Sequence, residues 1–401
     1  MLKHLPVALL ALTLATSAPA QQKLALTRPS AEYAEPFTNL RAIRELPDGR
    51  VLTADVTDKV VKIVDLRSGG AVAVGREGQG PEEYMLPMNL FGTSDGGALL
   101  QDMGNRRFLP IGVDGKIGKS VSPPNPPPPA NSSNGDRPRM MMMGGGLFDA
   151  RSADGQGNLY FQGMALNFEG SEAADSVPIM RWHPAKTTVD TVAWLPITAD
   201  MRPRVQRDAG RTTVTVRMGG GSAWAKQTQW VAAPDGRIAI LTPEPYQLTW
   251  LKGPARSAGP VIPFAPVKVT DAEKKDYVAR MARARPTVMT FGGGRGGPPP
   301  RIDPPRLEEI DFPETMPAFS GRDAVLITPE GEVWVSRLRA ASDKTPRYDV
   351  FDQRGQRIGE VTLRPESRVV GFGRGTVYVV RSDEDDLQYL ERYTRPAKLG
   401  T

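Results

Sequence analysis

The chain contains no cysteine and only two histidines. The first absence excludes disulfides, thiolate metal sites, a cysteine nucleophile and a lipidated N-terminal cysteine. The second leaves no basis for a histidine-rich zinc centre. Long apolar runs are missing too. The run from Leu5 to Ala15 follows Lys3 and His4 and is too short to span a bilayer. Ala18-Pro19-Ala20 then supplies a small-x-small cleavage pattern. Residues 1–20 therefore read as a secretory leader cut after Ala20, with a periplasmic or extracellular destination and no membrane span.

Cleavage removes His4 and leaves His183, in MRWHPA (180–185), as the one remaining histidine. Any Ser-His-Asp triad would have to use it, and its place before Pro184 suits a structural role better. The patterns GxSxG, HExxH and GxxxxGK[ST] do not occur. Lysine and arginine number 51 against 45 acidic residues, a net charge of +6. The basic excess is spread along the chain, which favours solubility rather than nucleic-acid binding.

What the chain has in quantity is 41 glycines and 38 prolines, about a fifth of its 401 residues. That share lies below the roughly 25–30% of low-complexity chains but argues against a helical bundle. Many of these residues fall in a repeat. A turn ending in glycine is followed by alternating apolar residues in PDGRVLTAD (47–55), SDGGALLQD (94–102), GQGNLYFQG (155–163), PDGRIAILT (234–242), PEGEVWVSR (329–337) and GRGTVYVVR (373–381). Turn glycines with a positive φ and the alternation that follows predict hairpins. A second strand follows each copy, as in KVVKIVDLRSGG (59–70) and RYDVFDQRGQ (347–356). A third apolar segment precedes each turn and a fourth ends the unit. Six such copies predict an all-β, six-bladed β-propeller with four-stranded antiparallel blades spanning 21–396, before a tail at 397–401. The last copy supplies only three strands. Lys23 to Leu26 is free to provide the fourth, so that an N-terminal strand closes the last blade.

GREGQGPEEY (75–84) resembles the glycine-rich blade connector of secreted bacterial six-bladed propellers. QDMGNRRFLPIGVDGK (101–116) and YDVFDQRGQRIGEV (348–361) are similar to NHL-like and TolB-like repeats. The resemblance implies the propeller fold strongly and function weakly, since related propellers include binding proteins, lactonases and lyases.

The repeat is interrupted by insertions at about 118–147, 197–228 and 264–318. With the blade strands labelled a to d, all three fall in d–a connectors, on the face opposite the a–b turns. The first holds PPNPPPP (123–129) and Met140 to Met143, and the second is rich in arginine. The third opens with the capping box Thr270 to Glu273, which predicts a helix with Tyr277 and Met281 on its packing side.

Six residues beyond each repeat glycine lie Asp55, Asp102, Gly163, Thr242, Arg337 and Arg381. Symmetry places them as a ring near the b–c turns, as a polar pocket at the channel mouth. Arg337 and Arg381 suit a carboxylate or sulfate, and Asp55, Asp102 and Asn105 suit Ca2+. The same charges also suit pairing with each other or with adjacent loops. Two functions follow. One is a monomeric, non-catalytic module binding protein or glycan through the insertion-bearing face, without a cofactor. The other is a lactonase-like hydrolase or lyase using the axial pocket with Ca2+. The shortage of catalytic residue types favours the first.

Overall fold

The computed structural model describes residues 22–123, 149–163, 176–196, 204–208, 211–215, 223–283 and 307–395. Residues 1–20, expected to form a leader, lie outside them, as do the proline- and methionine-rich part of the first insertion and the tail. Strands dominate, and six sheets follow one another in chain order. Blade 1 consists of Leu40–Glu45, Val51–Asp55, Val60–Asp65 and Gly70–Ala73 as strands a to d. Blade 2 pairs Pro87–Gly92, Ala98–Asp102 and Arg107–Ile111. Its outer edge is completed by bridges from Phe108 to Val121 and from Ile111 to Ile117. Blade 3 is Ala150–Ala153, Leu159–Gln162, Ser176–Trp182 and Val189–Pro196. Blade 4 is Gln229–Ala232, Ile238–Pro243, Tyr246–Lys252 and Ala255–Ala258. Blade 5 is Val325–Ile327, Val333–Ser336, Arg347–Phe351 and Arg357–Leu363. Blade 6 opens with Ser367–Gly373, Thr376–Ser382 and Gln388–Thr394.

All six repeat glycines start strand b as predicted. Each has a positive φ, from 67° at Gly375 to 88° at Gly96. An L-side chain resists that conformation, so glycine sets the turn in every blade. Strand b is then buried along its length in blades 1 and 2. Alternate side chains go to opposite neighbours: Leu52 packs toward blade 2 while Val51 packs toward blade 6. The core is therefore six apolar layers, one between each adjacent pair of blades and the last joining blade 6 to blade 1.

Closure differs from the expectation in one respect. An N-terminal strand does complete blade 6, but it is Ala31–Glu32, antiparallel to Gln388–Thr394. Gln22–Leu26, which contains the expected segment Lys23 to Leu26, instead pairs in parallel with Arg357–Leu363 as a fifth strand of blade 5. Leu24 and Leu26 enter the layer between blades 5 and 6, whereas Tyr33 and Phe37 enter the layer between blades 6 and 1. The N-terminal segment thus stitches two blades, and the free edge of blade 5 takes the residues whose alternation suits it.

The helix in the third insertion spans Asp271–Arg283. Thr270 N–H donates to Glu273 at 3.1 Å and the Thr270 hydroxyl accepts from Ala272 N–H at 3.3 Å, the two halves of its cap. Tyr277 packs on Trp224 at 5.0 Å and on Phe312 at 5.7 Å between ring centroids. Trp224 belongs to the second insertion, so the two insertions share a seventh apolar cluster with Met316 and Leu338.

Candidate functional site

The equivalent positions at the ends of strand b are placed one strand out from the axis, each within its own blade. Asp55 is buried, and its Oδ2 accepts from Thr38 N–H at 2.8 Å and Asn39 N–H at 2.9 Å. Its Oδ1 accepts from Thr57 N–H at 2.9 Å and Asp58 N–H at 3.0 Å. Asp102 repeats the arrangement: Oδ1 accepts from Met85 N–H at 3.0 Å and Leu86 N–H at 3.1 Å. Its Oδ2 accepts from Asn105 Nδ2 at 2.7 Å and faces Arg107 Nε at 3.4 Å. Each carboxylate therefore ties the connector entering its blade to the b–c turn. The part-buried backbone N–H groups of the two connectors find their acceptor there.

Arg337 does the same job with inverted polarity. Its Nε donates to the Ala318 carbonyl in the connector at 3.1 Å, and Nη1 meets Asp349 Oδ2 at 2.7 Å. The guanidinium also lies over Tyr246 and Phe264, at 5.2 and 5.5 Å. Tyr246 Oη donates to the same carboxylate at 2.9 Å. Burial first, then the Asp349 charge, pushes that hydroxyl well above its ordinary pKa. Arg381 bridges Glu391 at 2.8 Å and Glu32 at 3.1 Å, fastening the N-terminal strand of blade 6. Thr242 Oγ1 donates to the Pro245 carbonyl at 2.6 Å, and Gly163 N–H to the Pro178 carbonyl at 2.8 Å.

These residues are brought to symmetry-related places but not together. Asp102 and Asn105 are neighbours, while Asp55 is engaged inside another blade. The carboxylate oxygens proposed for Ca2+ already take backbone or side-chain N–H groups, so this donor set does not fit a calcium cage. Among the described residues no group of three or more acidic or histidine side chains suits a metal ion. His183 Nδ1 accepts from Ala185 N–H at 3.1 Å in a turn.

The axis itself is lined by strand a of every blade, together with Arg322 and Asp323 just before strand a of blade 5. This channel segment has a volume of about 310 Å³. Five arginines line it, Arg41, Arg44, Arg151, Arg322 and Arg368, against one carboxylate, Asp323. At the insertion-bearing end, Arg41 grips Asp323 through contacts of 2.7 and 3.0 Å, joining blades 1 and 5. Arg322 holds Asp149 at 2.6 and 2.7 Å, joining blades 5 and 3. Burial opposes ionisation of Asp323, but the Arg41 guanidinium outweighs it and holds the carboxyl below its ordinary value.

The other guanidiniums are less satisfied. Arg151 lies over the Trp230 ring at 5.6 Å, and burial, aided by the Arg322 charge, pushes its pKa down to about 10. Burial also lowers Arg368, with Arg41 adding to the effect, although Arg368 donates to the Leu40 carbonyl at 2.6 Å. Burial lowers Arg44 as well, and its buried Nε has no hydrogen-bond partner among the described residues. The opposite end of the channel opens into a mouth of about 550 Å³ among the a–b turns, sharing Arg44, Gly92, Ala153, Leu326 and Ile327 with the channel.

A third cavity, of about 320 Å³, lies on the insertion-bearing face beside the helix. It is bounded by Arg280, Arg339, Glu366, Arg368, Asp385 and Asp386, among others. Sequence reasoning missed the channel arginines of strand a, Arg41, Arg44, Arg151 and Arg368, because it sought the axial ring on strand b. The available signal was the charged residue recurring within strand a, as in LRAIRE (40–45), ARSA (150–153) and SRVVGFG (367–373).

No family model matches the chain, and no curated protein matches it. Among solved structures, it is similar to a DUF4221-family protein of Bacteroides vulgatus, at 8% identity over 92% of this chain and 98% of that one, with a TM-score of 0.46. It is also similar to a gluconolactonase of Xanthomonas campestris, at 9% identity, 94% and 99% coverage and a TM-score of 0.39. Virginiamycin B lyase of Staphylococcus aureus matches at 11% identity, 91% and 98% coverage and a TM-score of 0.39. With TM-scores below 0.5, these likenesses carry neither fold nor chemistry to this chain. The six-bladed architecture rests on its own strand order.

Proposed function

We propose that the protein is an exported β-propeller acting as a non-catalytic binding module, engaging a protein or glycan through its insertion-bearing face. The leader-like residues 1–20 support export, and no described helix is long and apolar enough to cross a membrane. The observation that carries the reading is the seventh apolar cluster. Two insertions from different connectors fold together around Trp224 instead of trailing separately. The cluster is fastened to the scaffold by Ser320 Oγ donating to the Ala225 carbonyl at 3.2 Å and by Ala341 N–H donating to Glu273 at 3.2 Å. A folded insertion cluster on one face, with a polar cavity beside it, can present a recognition surface.

Binding of the purified mature chain to a glycan array and to immobilised cell-surface proteins tests this. Arg280→Glu with Arg339→Glu should weaken retention at least tenfold. Unchanged retention would remove this face from the binding surface. The competing reading, a lactonase-like enzyme with Ca2+, predicts lactone hydrolysis that requires Ca2+ and stops with chelator.

A further inference from the structure

We infer that the axial channel is a binding site for a small molecule bearing a carboxylate or phosphate group, held by Arg44 and Arg151 and entered from the a–b turn face. This site is separate from the surface proposed above and lies toward the opposite end of the axis.

The argument starts from charge. Five guanidiniums and one carboxylate line about 310 Å³ of channel. Two of the guanidiniums are accounted for: Arg41 by Asp323 and Arg322 by Asp149, whose carboxylate sits just before strand a of blade 3. Arg368 is held by the Leu40 carbonyl and by Gln388 Oε1 at 3.3 Å. Arg44 and Arg151 remain: neither forms an ion pair among the described residues, and only the more distant charges of Glu45 for Arg44 and of Asp149 and Asp323 for Arg151 favour their ionised forms. A fold can satisfy a recessed arginine with an acid, as this one does at Arg337. Leaving two unpaired in one cavity costs stability unless an anion completes them.

Shape supports the same reading. The Arg44 guanidinium lies flat against strand a of blade 2, where a Cβ on Gly92 would come within 2.5 Å of Arg44 Cζ. Glycine there makes room for the fork beside the channel. Arg151 is held from the other side by the Trp230 face, and Trp230 is itself oriented by its Nε1–H donating to Gln162 Oε1 at 3.0 Å. Asn89, fixed by Gln101 Oε1 at 2.6 Å, lies between them along the lining. Planar forks with free N–H groups are suited to bidentate oxyanion recognition. The ion pairs at the insertion-bearing end and the wide mouth at the other make the a–b face the entrance. The volume suits a small organic anion, within the ~300–1,000 Å³ range of ligand pockets.

Thermal-shift and calorimetric titrations test this, with inorganic phosphate, sulfate and citrate as probes and chloride at matched ionic strength as control. At least one oxyanion should raise Tm saturably with 1:1 stoichiometry, and the probe that does so identifies the head group. Arg44→Gln with Arg151→Gln should weaken that binding at least tenfold. The unliganded double variant should melt at or above the wild-type Tm, since burial disfavours both charges; a purely structural role would lower it. Arg280→Glu should leave oxyanion binding unchanged, which separates this site from the insertion face. No saturable shift beyond chloride with any probe, or equal binding by the double variant, would overturn the inference.

Discussion

Arg337 and Arg44 are both recessed arginines of the same propeller, one at the end of strand b and the other on strand a. Arg337 touches a carboxylate, a carbonyl and two aromatic faces. Arg44 faces the channel, with its buried Nε unpartnered among the described residues. The difference separates charges that hold the blades in place from charges the fold leaves available. Strand b is enclosed by its neighbours, so a charge there must be neutralised inside the protein. Strand a borders open space on the axis, where solvent or a ligand can do it.

The strongest test of that division is Asp349→Ala. It strands Arg337 and Arg357 beside the Tyr246 hydroxyl, in a site where Asp349 is fully buried. Breaking such a pair costs about 3–5 kcal/mol, readable by urea unfolding. Asp102→Ala should follow at about 3 kcal/mol, because two connector N–H groups lose their acceptor at once. Equal stability of either variant and wild type would erase the distinction between the two regions.

Gly49→Ala should cost about 1–2 kcal/mol by the same measurement. A Cβ there meets nothing within 4 Å, so the loss comes from the φ of +85° alone.

Acid titration probes the channel more gently. The Asp323 carboxyl is held below its unfolded value of 3.8, so its contribution is complete above that pH and is lost as pH falls through the lower folded value. Asp323→Asn should therefore flatten the fall in stability below about pH 4 and leave the neutral region less stable. A variant with an unchanged acid limb would show that the Arg41 pair adds nothing to stability. The smallest expected effect is Arg44→Gln alone, whose Tm should stay at or slightly above that of the wild type. A clear loss there would make Arg44 a structural residue like Arg337 and dissolve the comparison.

How much of this was legible in the chain differs from feature to feature. The six b strands were readable because a positive-φ glycine and a period of two are local signals, repeated in register. The helix at Asp271–Arg283 was readable from its capping residues for the same reason. The candidate ring was readable as a set of equivalent positions, Asp55 through Arg381, but not as a place. Nothing local says that strand a, not strand b, borders the axis. Nor does it say that Thr38 and Asn39 bring their N–H groups to Asp55.

The sequence by itself determined the blade count, the turn positions and the identity of the strands, because each depends on a few neighbouring residues. Only the tertiary structure decided that Gln22–Leu26 joins blade 5 while Ala31–Glu32 closes blade 6. It alone paired Arg381 with Glu32 across most of the chain and left Arg44 facing the channel. Those outcomes turn on which free edge and which opposite charge are near in space, and closing a ring of six blades is what brings distant residues within reach.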